Sequence, residues 1–329
     1  MLKSRLNPIY PLFVNFSDPM PAEWLTTFRC AEAVSEANRS SGWDIEYRQL
    51  KRGGYRSRFG MRELPSVLLA TDSFESLVEI TGQPPTDLVM IVVPVGEQPA
   101  GILGRGRTLT SHHADLIDAN TECDWIAPPG TTMNQVYVSR ATIRDAYRRL
   151  YRTELPESLD GLQPSASERA LITPLRLLTS RGLLDLDAPD SCQALLSQDI
   201  VELSARIIAC RARSTEERQS TRMARHHSVF SNAREFIDDS LDQSIPIPDI
   251  CQHTGVSVST LERAFRRATG LSPRAYIQSR RMNKARSLLL SRGSEMSVTE
   301  IALECGMPHF GRFSRSFHSY FGHLPSHTR

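Results

Sequence analysis

The last hundred residues carry two helix-turn-helix signatures in tandem, and a basic helix joins them. No other feature of the chain restricts its fold as much. The first unit runs from Ile247 to Gly270. A short helix begins near Pro248, a residue suited to a first helical turn because it has no N–H to leave unpaired. It ends at Gly255, which takes the left-handed conformation that a sharp turn requires. Ser257 or Ser259 then caps the next helix. Along that helix Leu261, Phe265 and Ala268 share one face, while Thr260, Arg263 and Arg267 point elsewhere. A short helix, a glycine turn and a basic amphipathic helix form the arrangement that lays a helix into a DNA major groove.

The second unit repeats the logic. Ser297 and Glu300 stand at capping-box spacing, and Ile301 and Ala302 look inward. Gly306 turns the chain into a helix whose apolar positions are Phe313, Phe317, Tyr320 and Phe321, with Arg312 and Arg315 outside. The inward anchors of the two units, Leu261 and Phe313, are 52 positions apart. Between them, Pro273 to Leu290 predicts one helix, roughly 27 Å long at about 1.5 Å per residue. Such a strut suits two helices lying in successive major-groove segments, about 34 Å apart.

This segment resembles the DNA-binding domain of the AraC/XylS family of bacterial transcription regulators. The matching letters are Leu261, Phe265, Gly270, Ser272, Pro273, Tyr276, Arg281, Ala285, Leu288 and Leu289, then Ile301, Ala302, Gly306, Phe313, Ser314, Arg315, Phe317, Phe321, Gly322, Pro325 and Arg329. They cover about a hundred of 329 residues, from near Val229 to the end. The resemblance implies double-stranded promoter DNA as partner. On the first recognition helix it points to Ser257, Ser259, Thr260, Glu262, Arg263 and Arg267. Ser259 and Arg263 fall on base-reading positions, Arg263 through a bidentate fit to guanine or, alternatively, as a phosphate contact. On the second helix the base-facing positions fall on Gly311, Arg312 and Arg315. Here the chain departs from the common pattern: Met307, Pro308, His309, Phe310 and Gly311 replace a phenylalanine followed by small polar residues, as in the subgroup that includes ethanolamine-utilisation regulators. Gly311 has no side chain to read a base, so the second unit is expected to contribute affinity and positioning, with His309 and Arg312 as substitutes.

Length and charge fit a two-domain chain. A chain of 329 residues exceeds one comfortable core. From Gly255 to Arg329 there are 12 Lys and Arg against 4 Asp and Glu, a net of +8, while the whole chain carries only +2. A basic end on a near-neutral chain fits a DNA-binding module attached to something else. The six cysteines are scattered without a C-x-x-C or a paired histidine, which argues against structural zinc and a disulfide framework. The longest apolar run, Leu88 to Val95, is too short to span a bilayer, so a cytoplasmic, non-membrane protein without a cofactor is expected.

The remaining two thirds change texture. From about Trp43 to Ser139 short alternating runs are broken by Gly and Pro. They predict strands at Ile45–Leu50, Tyr55–Phe59, Val67–Thr71, Ser76–Ile80, Leu88–Val95, Gly101–Leu109, Ala114–Ile117, Cys123–Ala127 and Gln135–Val138. This is the pattern of a β-sandwich or small barrel, and the family resemblance implies a cupin-like barrel that binds an effector or supports dimerisation. His112 and His113 are adjacent and point to opposite faces if on a strand, so no metal site is expected there. No G-x-S-x-G or phosphate-loop motif marks an enzyme. After Ser139 the spacing turns helical at Arg140–Arg152, Ser165–Thr179 and Ala188–Ala212. In the last of these Leu196, Ile200, Leu203, Ile207 and Cys210 form a heptad-like stripe, which suits either packing on this chain's own sheet or a helix–helix homodimer seam.

The expected fold is therefore α+β: a sensor or dimerisation domain over 1–213 (β-barrel about 43–139, helices about 140–213), a linker over 214–228, and an all-α tandem helix-turn-helix domain over 229–329. The expected function is sequence-specific, DNA-binding transcription regulation, with an unnamed small-molecule effector and RNA polymerase as further partners. The alternative is a ligand-independent scaffold tethered to DNA, whose N-terminal domain binds a protein.

Overall fold

The computed structural model describes residues 25–329 except 41, 96–100, 120, 161, 163, 186, 214–220, 294 and 329, with the side chains of 166 and 221–226 also left out. The N-terminal part opens with β1 (Thr26–Phe28), α1 (Ala31–Ser40), β2 (Asp44–Gln49), β3 (Ser57–Leu64), β4 (Val67–Phe74), β5 (Val78–Gln83) and β6 (Leu88–Pro94). It continues with β7 (Ile102–Gly104), β8 (Arg107–Leu109), β9 (Asp115–Ile117), β10 (Cys123–Ala127) and β11 (Thr131–Ser139). The strands form a six-stranded sheet, β1-β3-β4-β11-β6-β9, and a five-stranded sheet, β2-β5-β10-β7-β8, each with antiparallel neighbours. The β-rich region is thus built of two antiparallel sheets, with no ladder between them among the described residues. The long run expected at Gly101–Leu109 splits into the β7–β8 hairpin because Arg105 and Gly106 both take positive φ, at 45° and 76°, as a two-residue hairpin loop requires. Neither β1 nor α1 is marked by a pattern in the sequence.

Side-chain parity builds four layers from these two sheets. On β6, Leu88, Met90 and Val92 enter the core between the sheets, while Val89, Ile91 and Val93 enter a second core on the opposite face. Alternation with a period of two sends successive side chains to opposite faces. The second core is closed by α2 (Arg140–Tyr151), α3 (Arg169–Leu184) and α4 (Asp190–Ala212). This decides where the α4 stripe goes. Ile200 and Ile207 are fully buried against the six-stranded sheet, Leu196 and Leu203 pack half-buried on the same core, and Cys210 is half-buried. The stripe proposed as a dimer seam is thus taken up inside the chain, because heptad-like spacing is also what one helix needs to bury one face. Arg211 anchors α4: its guanidinium donates to both Glu168 oxygens, at 2.6 and 2.8 Å, and to the Ala114 carbonyl at 2.7 Å, all out of contact with water.

The C-terminal part comprises α5 (Thr221–Asp239), α6 (Ile247–Thr254), α7 (Val258–Thr269), α8 (Pro273–Arg292), α9 (Val298–Glu304) and α10 (Phe310–Phe321), and residues of α5 to α8 cluster on the outer face of the five-stranded sheet. Residues 221–228, expected as linker, form the start of α5, while 214–220 lie outside the described residues. Leu50, Leu77 and Ile126 project from the sheet region into one cluster with Phe230, Leu261, Phe265 and Tyr276. Phe230, Phe265 and Tyr276 meet edge to face, with centroids 5.1 to 5.5 Å apart. The first helix-turn-helix unit therefore completes its core on the β-sandwich. The second has a cluster of its own around Met282, Leu289, Ile301, Phe313 and Phe317.

Asp72 is a fully buried carboxyl facing the core between the sheets. The Tyr47 hydroxyl donates to Asp72 Oδ2 at 3.2 Å and the Gln135 amide at 2.6 Å, while Tyr137 bonds the other end of Gln135. Burial pushes the Asp72 pKa up to about 7 in spite of these donors. Because the folded state holds a proton that the unfolded chain has lost, stability is greatest below the unfolded value and falls as pH rises from about 4 to about 7. Asp72→Asn should remove that slope, leaving the variant relatively more stable at slightly alkaline pH. Urea unfolding across the interval measures the difference, and an unchanged slope refutes it.

Candidate nucleic-acid interface

Local chemistry places both recognition helices. At the end of α6, Gly255 has φ 66°, and the Val256 N–H closes the turn on the Cys251 carbonyl at 3.1 Å. Ser257, not Ser259, caps α7: its Oγ accepts from the Thr260 N–H at 3.4 Å. Leu261, Ala264, Phe265 and Ala268 face the core, and Ser257, Ser259, Glu262, Arg263 and Arg267 are exposed, with Thr260 half-buried. In the second unit the capping box is complete. The Ser297 N–H reaches Glu300 Oε2 at 2.7 Å, and the Glu300 N–H reaches Ser297 Oγ at 3.2 Å. Gly306 turns at φ 65°, and a Cβ there would lie 2.7 Å from the Leu241 carbonyl oxygen. On α10, Phe313, Phe317 and Tyr320 face inward, and His309, Gly311, Arg312 and Arg315 are exposed. His309 gives α10 no side-chain cap, and Arg315 Nε folds back onto the Gly311 carbonyl at 3.1 Å.

The strut between the units is α8, capped by Ser272 onto the Ala275 N–H at 3.3 Å. Its 20 residues span roughly 30 Å. The basic residues of α8 do something the sequence did not suggest. Arg280 turns inward, with one nitrogen 2.6 Å from Glu79 Oε2 and another 2.8 Å from Asp238 Oδ1. Tyr276 donates its hydroxyl to the other Glu79 oxygen at 2.6 Å. Arg48 and Arg234 stand 3.8 and 3.9 Å from the same carboxylate, and Arg234 pairs with Asp124 at 2.5 Å. Arg286 lies 3.4 Å from Glu32 on α1. Burial pushes the pKa of Glu79 up, but Arg280, Arg48 and Arg234 outweigh it and hold the carboxylate below its usual range. Backbone follows side chain: the Asn283 amide brackets the Gln49 peptide, accepting from its N–H at 3.1 Å and donating to its carbonyl at 2.8 Å. Part of the basic excess of the C-terminal segment is thus neutralised by acids of this chain. A lone glutamate between Val78 and Ile80 in a predicted strand was the one available signal.

Two grooves open where the sandwich meets these helices. One, of about 420 Å³, is lined by Leu103, Gly106, Thr108, His227, Ala264 and Arg267. The other, of about 390 Å³, lies among Glu32, Arg39, Arg48, Asp238, Arg280 and Lys284. Among the described residues no group of His, Cys, Asp and Glu could hold a metal ion, and no helix is long and apolar enough to cross a membrane.

Residues 250–329 match a family described as a helix-turn-helix domain. The XylDLEGF operon transcriptional activator 3 of Pseudomonas putida is 36% identical over 100 residues, 30% of each chain. The helix-turn-helix-type transcriptional activator RhaS of Shigella boydii is 29% identical over 182 residues, which cover 53% of this chain and 61% of RhaS. Among solved structures, a Chromobacterium violaceum transcriptional regulator with an AraC-type DNA-binding domain is 29% identical over 31% of this chain and 88% of its own, with a TM-score of 0.30. The C-terminal segment is an AraC/XylS-type helix-turn-helix domain. The chain spans under a third of the length of the first of these relatives, which are transcriptional activators and not enzymes. Within the AraC/XylS-type domain, α8 is the element most committed to the rest of the chain. Glu79→Ala leaves Arg280 and Arg48 without their shared carboxylate at the junction, and should cost about 3–5 kcal/mol of stability. Glu79→Gln, which keeps the bond from Tyr276, should cost less. Urea unfolding checks both, and an alanine variant as stable as the parent refutes the assignment.

Proposed function

We propose that the protein is a sequence-specific transcription regulator that binds promoter DNA through α7 and α10. The observation that carries this reading is the arrangement of the two units. Their recognition helices expose Arg263 and Arg267 on one and Arg312 and Arg315 on the other, at a 52-residue interval, with one continuous helix between them. Cationic side chains supply phosphate contacts, and a few base-edge bonds supply discrimination. Arg263, Ser259 and Glu262 are the proposed base readers of the first unit. Ser257, Thr260 and Arg267 hold its position. His309, Arg312 and Arg315 serve the second unit, where the backbone at Gly311 comes close to the duplex.

Residues 1–213 are proposed as the sensing and dimerising domain and 229–329 as the reading domain. The two junction grooves support a small-molecule effector. A homodimer is supported by Leu177 and Leu184, one heptad apart on α3, and by Leu195 on α4, each more than 60% exposed. These replace the buried α4 stripe as the contact surface. Relatives that carry the word activator in their names support contact with RNA polymerase in the cytoplasm.

Arg263→Ala should lower specific affinity by about 1–3 kcal/mol and relax preference at one or two base positions. Selection of binding sites from random duplexes by the parent and the variant measures this. An equal loss on every sequence would assign Arg263 to phosphate.

A further inference from the structure

We infer that Val258 and Phe310, the first residues of the two recognition helices, read thymine methyl groups in the major groove. The inference rests on the proposed DNA-binding function and deepens it. Both side chains are large, apolar and half out of the fold, 49% and 46% exposed, and they stand 52 positions apart, in the same register as the inward anchors Leu261 and Phe313. Each opens a twelve-residue helix whose outer face carries arginines. Neither belongs to a core cluster: the nearest aromatic contact of Phe310 is a tilted one with Phe313, at 6.5 Å between centroids. A β-branched or aromatic residue at an exposed helix start contributes little to helix stability.

The residue after Phe310 supplies a second, independent observation. A Cβ added to Gly311 would meet nothing within 4 Å, and no positive φ requires glycine there. Glycine weakens a helix, so the fold itself gains nothing from it. Bare backbone beside an exposed ring does have a use if a flat, bulky partner must come close. The N-terminal end of a recognition helix is the end that meets base edges. The one apolar group exposed there by DNA is the C5 methyl of thymine, for which a hydrophobic side chain is the fitting partner. The surrounding Arg263, Arg312 and Arg315 select a polyanion over an apolar protein face. The second unit therefore discriminates sequence through an apolar contact, although Gly311 offers no hydrogen bond.

The test uses the full chain and duplexes selected from random sequence by the parent protein. Each thymine is replaced in turn by deoxyuridine, which lacks only the methyl, and affinity is read by fluorescence anisotropy. One or more replacements should weaken the parent about fourfold, the worth of one buried methyl. Phe310→Ala should show a similar loss on thymine duplexes and no further loss on the deoxyuridine duplex that weakened the parent. Phe310→Leu, which keeps apolar contact, should retain sensitivity to the methyl, and Val258→Ala should mirror this at another position. Thermal unfolding confirms that the variants are folded. Losses that multiply, or selected sites in which no thymine methyl matters, overturn the inference. If the parent selects no sequence at all, the DNA-binding reading itself fails, a distinct result.

Discussion

A single carboxylate organises the junction between the two halves of this molecule. Glu79 sits on a strand whose neighbours Val78 and Ile80 point into the sandwich, so parity alone drives it out of the opposite face. There it meets the strut of the helix-turn-helix domain instead of water. A buried charge is costly unless paired and hydrogen-bonded, and Arg280, Tyr276, Arg48 and Arg234 together meet that condition. The apolar cluster of Leu50, Leu77 and Ile126 with Phe230 and Phe265 supplies area, while the ionic contacts fix which turn of α8 faces which strand. Hydrophobic burial is non-directional, and hydrogen bonds add the register.

The helical third was the most legible part, for local reasons. Caps, glycine turns and the spacing of apolar residues act within a few positions, so Gly255, Ser297 and Glu300 are assigned from the letters next to them and the α7 cap is narrowed to Ser257 or Ser259. Most strands of the β-rich region are legible, since period-two alternation is local as well, but β1 and the turn between β7 and β8 are not. The apolar run at Leu88–Val95 predicts a strand, and Leu88–Pro94 forms one, buried on both faces. What stayed hidden depends on pairings between distant residues. Nothing near Arg280 shows that its partner lies about two hundred positions earlier. Nothing in the α4 stripe says whether the surface it covers belongs to the same chain or another. The exposure of Val258 and Phe310 is hidden as well, because an apolar letter at a helix start does not show whether it faces the core or solvent.

The interface surface has a corresponding division of labour. Residues on the outer faces of α7 and α10 are largely exposed, so the fold itself places little constraint on their identities. Residues on α8 have many, and their identities are tied to the sandwich. The helix between the two units is thus the element bound to the rest of the fold, and the outer faces of α7 and α10 are the parts left free of it.

Asn283 holding the peptide of Gln49 has an implication for how such chains diverge. A domain shuffled onto another partner by recombination must bring a sheet edge and a carboxylate that fit its strut, or lose the junction. The break point that looks natural in the sequence, among the polar residues after Arg213, cuts between Glu79 and Arg280 and would separate partners that have to be inherited together. Successful exchanges should instead keep β2 and β5 with α8, so that the unit passed on is a sheet face with its helix, drawn from two distant stretches of the gene.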